Sequence, residues 1–198
     1  MRRAVVILLN PVDWAPPGTP LPTWRAALAE DLVDLLATLN QIEPALAGIA
    51  PDLPLGRSVA WPGMPIYQLP ELSVNAALDA AHAEGFDQAA VLAADAPDLP
   101  GLLVGKLLRP LTTRPLAVAP AGPPGTGLLG VAARLPAPEW LPALDLEADA
   151  HTVQSAAPRR GAVALTPAWR RIRGPADLST LDPAVEGWDT TRALLSGV

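Results

Sequence analysis

The chain contains no cysteine, which excludes disulfides, thiolate metal ligands and cysteine nucleophiles together. Lysine is almost as scarce: Lys106 stands alone among 14 basic residues, and 20 acids leave a formal charge of −6. A net negative chain does not draw a phosphate backbone onto its whole surface, so nucleic acid is not an expected partner. Charged residues amount to 17%, below the roughly 25% of an average domain. Tyrosine and phenylalanine occur once each against six tryptophans. Long apolar runs are missing too. Ala4 to Leu9 stops at Asn10-Pro11, short of the roughly 7–15 residues of a secretory core. The uncharged stretch Pro115 to Ala133 is broken by prolines and glycines and makes a poor membrane helix. No membrane partner is expected, and the expected location is the cytoplasm.

What is present is apolar residues, at 50%, and 25 prolines in 198 residues, more than twice the usual share of about 5%. This is the composition of a folded chain with proline-punctuated loops. Its length argues for one domain over residues 1–198. Arginine in place of lysine, with abundant alanine and proline, suggests a GC-rich bacterial genome.

Ala4–Leu9 is a continuous apolar run, the pattern of a strand buried on both faces. After a proline-rich loop, Thr23 is placed to cap a helix whose apolar residues Trp24, Leu28, Leu32, Leu35, Leu36 and Leu39 recur near helical spacing. Ser58–Trp61 and Ile66–Leu69 read as short strands, and Ser73 as the cap of a second helix closed by Gly85. A strand at Gln88–Ala94 leads into Asp95-Ala96-Pro97-Asp98-Leu99-Pro100 and a helix of about ten residues. Strands at Leu116–Ala119 and Leu128–Ala133 flank a glycine loop. Alternating strands and helices predict an α/β layered fold with a mostly parallel central sheet, whose ligands bind beyond the carboxyl ends of the strands.

The loops at those ends hold the candidate residues. Asp95 is placed to project into the crevice where a hard cation and substrate phosphates can meet it. Pro97 and Pro100 stiffen the turn that carries Asp98, which either joins the site or caps the following helix. Gly122-Pro123-Pro124-Gly125-Thr126-Gly127 is either a tight connection or a phosphate loop, with Gly125 and Gly127 free to take positive φ and Thr126 offering a hydroxyl. Arg159 and Arg160 are either solvated or hold an acidic ligand, and His151 follows an acidic stretch of Asp145, Glu147 and Asp149. Trp140, Trp169 and Trp188 suit either the core or a homodimer face.

Val91-Leu92-Ala93-Ala94-Asp95-Ala96-Pro97-Asp98-Leu99 resembles the Asp-x-Pro-x-Leu element of the nucleotide-diphosphosugar transferase superfamily. Gly125-Thr126-Gly127-Leu128-Leu129 and Arg159 to Trp169 are similar to the phospholactate or phosphoenolpyruvate guanylyltransferases of deazaflavin-cofactor biosynthesis. Asp95–Leu99 and Leu128–Val131 also resemble a group of small uncharacterised glycosyltransferase-like proteins. The resemblance spans about residues 4 to 180 on short motifs. It implies a single-domain GT-A-like (Rossmann-like) fold with a mixed sheet. It also implies a nucleotide or nucleotide sugar with a small acidic acceptor, and a magnesium ion at Asp95. Asn10, Asp98, Gly125, Thr126, Gly127, Arg159, Arg160, Arg171 and Arg173 would contact the ligand.

The chain departs from the pattern twice. Relatives carry a basic Lys-Thr-Arg-Leu element after the first strand, where this chain reads Asn10 to Gly18 without lysine or arginine. They carry Asp-x-Asp-Thr-Pro-x-Asp-Leu near the C-terminus, where it reads Arg171-Ile172-Arg173-Gly174-Pro175-Ala176-Asp177-Leu178. Two cations in place of two carboxylates argue against a two-carboxylate magnesium site. Either Arg171 and Arg173 neutralise phosphate directly, or the chain is a catalytically inactive relative that binds or oligomerises.

Overall fold

The structure is a computed structural model of the chain and describes residues 1–197. Strand β1 (Arg3–Leu8) sends Ala4, Val6 and Leu8 into one core and Val5 and Ile7 into the other, the two-residue alternation of a strand covered on both sides. Burying each of these larger aliphatic side chains contributes about 1.5–3 kcal/mol before entropy is counted. β1 pairs in parallel with β2 (Glu43–Gly48) and with β4 (Gln88–Ala93), whose six residues are all buried. β3 (Ile66–Gln68) lies beside β2, and β5 (Leu116–Pro120) is flanked by antiparallel β6 (Leu128–Arg134) and parallel β7 (Val163–Leu165). The sheet order is β3-β2-β1-β4-β6-β5-β7, and β6 is the antiparallel member that makes the sheet mixed.

Helices α1 (Leu21–Thr38), α2 (Leu53–Val59) and α4 (Gly101–Leu108) cover one face through Leu32, Leu36, Val59, Val104 and Leu107. α3 (Val74–Ala83) and α5 (Ala150–Ala156) cover the other through Val74, Leu78, Ala81 and Val153. α6 (Asp189–Ser196) docks on α1, where buried Asp31 accepts hydrogen bonds from the backbone N–H groups of Thr190 at 2.9 Å and Thr191 at 2.8 Å. A residue of the first helix thus satisfies orphan donors at the start of the last.

Three local expectations change. The first helix starts at Leu21 rather than being capped by Thr23, because Pro22 lies in its first turn, where no N–H is needed. Ser58 and Val59 end helix α2 instead of opening a strand. β2, where the sequence reading places no strand, contains Pro44; β3 joins β2 only from Leu46 onward, so the proline breaks no ladder on that side. Ser73 does cap α3, its Oγ accepting from the Ala76 N–H at 3.1 Å.

Candidate functional site

The parallel strands β1, β4, β5 and β7 end at one edge of the sheet, and β6 begins there. Asn10, Asp95, the 121–127 loop and the chain after β7 therefore meet. Asp95 is 1% exposed, so its charge must be paired where it sits. Arg171 pairs it in a fork, Nε to Oδ1 at 2.7 Å and Nη2 to Oδ2 at 2.9 Å. Asn10 completes the group: its Nδ2 donates to Asp95 Oδ2 at 2.9 Å, while its Oδ1 accepts from the Ala94 N–H at 2.8 Å. The Ile172 N–H donates to the Asp95 carbonyl at 2.7 Å, fixing the C-terminal segment against the end of β4.

Arg171 is spent on the protein. Its Nη1 reaches the carbonyls of Leu146 at 3.0 Å and Leu128 at 3.3 Å and Glu147 Oε1 at 2.9 Å. Burial on its own would lower the guanidinium's pKa, but the bonds to Asp95 and the charges of Asp95 and Glu147 outweigh it and raise it. Arg173 is less engaged. Its Nη2 donates to the Thr126 carbonyl at 2.7 Å and its Nη1 meets Glu147 Oε2 at 3.2 Å, while its Nε is buried without a partner. Burial and then the neighbouring charge of Arg171 hold the Arg173 pKa below the ordinary arginine value.

Asp98 does not cap α4, whose N-cap is Pro100. It receives the Trp169 indole N–H at 3.1 Å and the Arg170 Nε at 3.0 Å, with Arg170 Nη2 on the same oxygen. The Arg170 guanidinium also lies 4.1 Å from the Trp169 ring centre, a cation–π stack. Asp95 and Asp98, three residues apart, thus clamp two consecutive arginines of the strap after β7.

The 121–127 loop is a closed turn. The Gly125 N–H goes to Asp149 Oδ2 at 2.5 Å and the Thr126 hydroxyl donates to the Pro123 carbonyl at 2.6 Å. These bonds use donors that a phosphate loop would present, and the Thr126 oxygen keeps acceptor capacity. Gly127 has φ +80°, and a Cβ there would come within 2.7 Å of the Leu146 carbonyl oxygen and 2.9 Å of Arg173 Nη2. Between this loop and the strap lies a cavity of about 550 Å³ lined by Gly122, Thr126, Trp169, Arg170, Arg171 and Arg173.

Arg159 and Arg160 are not in it. They lie on the loop entering β7, at the opposite end of that strand, and are exposed. With His151 and Ser155 they line a separate cavity of about 510 Å³. The sequence reading also missed Glu147 as a member of the arginine cluster; its place in the acidic stretch was visible, but nothing local told which acid folds back.

The donors around Asp95 do not fit magnesium. Both carboxylate oxygens carry guanidinium bonds, and a hard cation wants several oxygens rather than a neighbouring cation. Among the described residues no three His, Asp or Glu side chains converge as a ligand set.

No protein-family model matches the chain, and no curated protein matches it. Solved structures do. One is a nucleotide-diphospho-sugar transferase, so classed, from Desulfovibrio desulfuricans G20, at 16% identity and TM-score 0.66 over 99% of this chain and 96% of that one. Another is CMP:2-keto-3-deoxy-manno-octonic acid synthetase complexed with CTP, at 14% identity and TM-score 0.59 over 100% and 99%. A third is 4-diphosphocytidyl-2C-methyl-D-erythritol synthase from Anaerococcus prevotii, at 10% identity and TM-score 0.60 over 98% and 95%. Superposition over nearly the full length of each chain gives this mostly parallel, mixed sheet the GT-A-like fold of the nucleotide-diphospho-sugar transferases and cytidylyltransferases.

Proposed function

We propose that the chain is a nucleotidyltransferase-like protein that takes a nucleotide or nucleotide sugar, with a small acidic acceptor, in the cleft between the 121–127 loop and the strap after β7. The observation that carries this reading is the Arg171–Asp95 fork at the carboxyl end of β4. It fixes a guanidinium, its charge balanced by Asp95, and with it the strap that carries Arg173, at the place in an α/β sheet where ligands bind. Guanidinium groups bind phosphate oxygens in pairs and need no metal to do so. Asp95 then fixes Arg171, and Arg173, whose Nη1 is held only by the exposed Glu147, is the group left to meet the ligand. Arg159 and Arg160 do not belong to this ligand set.

A second reading has its own support. Asp95 is committed to Arg171 and Asn10, and Asp98 to Trp169 and Arg170, so neither buried acid of this loop is free to take a proton from an acceptor. On that reading the chain binds a nucleotide without transferring it. Thermal melting in the presence of nucleoside triphosphates and nucleotide sugars tests the binding both readings share. The expected result is a melting temperature that rises with ligand concentration in the native chain, as mass action requires, and not in Arg173→Ala. Product analysis with a phosphorylated hydroxy acid as acceptor then separates transfer from binding alone.

A further inference from the structure

The two cleft arginines share one counter-ion of unusual position. Glu147 bridges Arg171 Nη1 at 2.9 Å and Arg173 Nη1 at 3.2 Å, yet its own side chain is 61% exposed. Arg171 does not depend on it, because Asp95 takes its Nε and Nη2 and two backbone carbonyls share its Nη1. The Arg173 guanidinium does: apart from the Thr126 carbonyl, Glu147 is its only partner among the described residues, and its buried Nε has none.

We infer that Arg173 forms the phosphate subsite of the cleft and that Glu147 is a built-in anion holding that subsite until a phosphate or pyrophosphate group of the ligand displaces it. The inference rests on the nucleotide reading of the cleft and assigns its anchoring group. An exposed carboxylate pays little desolvation and gains little from its ion pair, so its hold is weak. A phosphate group brings more charge and three acceptor oxygens, enough to take the Nη1 that Glu147 holds and to add a charge-assisted hydrogen bond stronger than that of one exposed carboxylate. Released, Glu147 returns to water it already largely occupies, and Arg171 stays fixed by Asp95.

A competitor of this kind lowers apparent affinity by the fraction of molecules in which the subsite is covered. The test is isothermal titration of magnesium-free inorganic pyrophosphate into the native chain, Glu147→Gln, Arg173→Ala and a control, Glu84→Gln. Glu84 is exposed at the end of α3, next to the amino end of β4 and so across the sheet from the cleft. Glutamine keeps the size of Glu147 and removes its charge. The expected result is binding about threefold to fivefold tighter in Glu147→Gln, no such gain in Glu84→Gln, and loss of binding in Arg173→Ala. Equal or weaker binding in Glu147→Gln, or an equal gain in Glu84→Gln, would overturn the displaceable-anion role while leaving the cleft as a nucleotide site. Retained binding in Arg173→Ala would overturn Arg173 as the subsite. No binding to the native chain and none to Glu147→Gln would overturn both the subsite and the nucleotide reading beneath it.

Discussion

Arg171 grips Asp95 through both carboxylate oxygens, at 2.7 and 2.9 Å, with each side chain about 98% removed from solvent. The pair ties the strap after β7 to the end of β4. Removing one partner leaves the other charged and buried, which costs about 3–5 kcal/mol, whereas an apolar pair of similar volume is close to neutral. Arg171→Met should therefore lower unfolding free energy in urea by that amount. The double variant Asp95→Leu/Arg171→Met should regain most of it. A small loss in the single variant would show that the fork contributes little.

Asp98 makes the parallel test. Its side chain is fully buried and holds both the Trp169 indole and Arg170, whose side chain is 24% exposed. Asp98→Ala strands the indole N–H and should cost about 1–3 kcal/mol. Arg170→Ala should cost more than Asp98→Leu, since it leaves the fully buried Asp98 carboxylate without its cation, whereas Arg170 without Asp98 still reaches water. Denaturant midpoints of the three variants decide it.

Gly127 tests how tightly the cleft floor is packed. An alanine there needs positive φ and brings its Cβ to 2.7 Å from a carbonyl oxygen and 2.9 Å from Arg173 Nη2. Gly127→Ala should lose about 1–3 kcal/mol of stability and weaken nucleotide binding, because the strain is relieved by moving Arg173. Gly125→Ala shares the positive φ but meets nothing within 4 Å. It should therefore lose less of both.

The loops and the strap were not equally legible in the sequence. β1, β4, β5 and β6 could be read because buried strands are unbroken apolar runs, and Asp95 because an acid ending such a run has one place to go. Arg171 and Arg173 stood out as departures from an acidic pattern, but their roles did not: adjacent residues on an irregular strap carry no period that says which is buried. Glu147 escaped for the same reason, its partners being 24 and 26 positions away. Arg159 and Arg160 joined them through the family resemblance, and β7 separates the two pairs in space. The end of helix α2 reads as a strand at Ser58 because the helix is only seven residues long and has Pro54 in its first turn.

Asp31 gives a pH dependence. Burial raises its pKa above the ordinary aspartate value, and the hydrogen bonds from Thr191 and Thr190 offset only part of that. The folded chain therefore binds a proton more readily than the unfolded one between about pH 3.9 and the raised value. Across that window the Asp31 contribution to stability falls as pH rises, and above it the ionised group remains a cost. Asp31→Asn keeps an acceptor for α6 and loses the charge. Native stability measured against that variant should decline as pH is raised from about 4 toward neutrality. A flat difference would mean that Asp31 does not titrate abnormally.

The central claim is that arginine, not a divalent ion, supplies the positive charge of the cleft. The direct measurement is isothermal titration of CTP, GTP and a nucleotide sugar into the chain, once in magnesium and once in excess EDTA. The account predicts that at least one of them binds and that its affinity changes less than about threefold between the two conditions, a difference of about 0.6 kcal/mol. Binding that appears only with magnesium would contradict it.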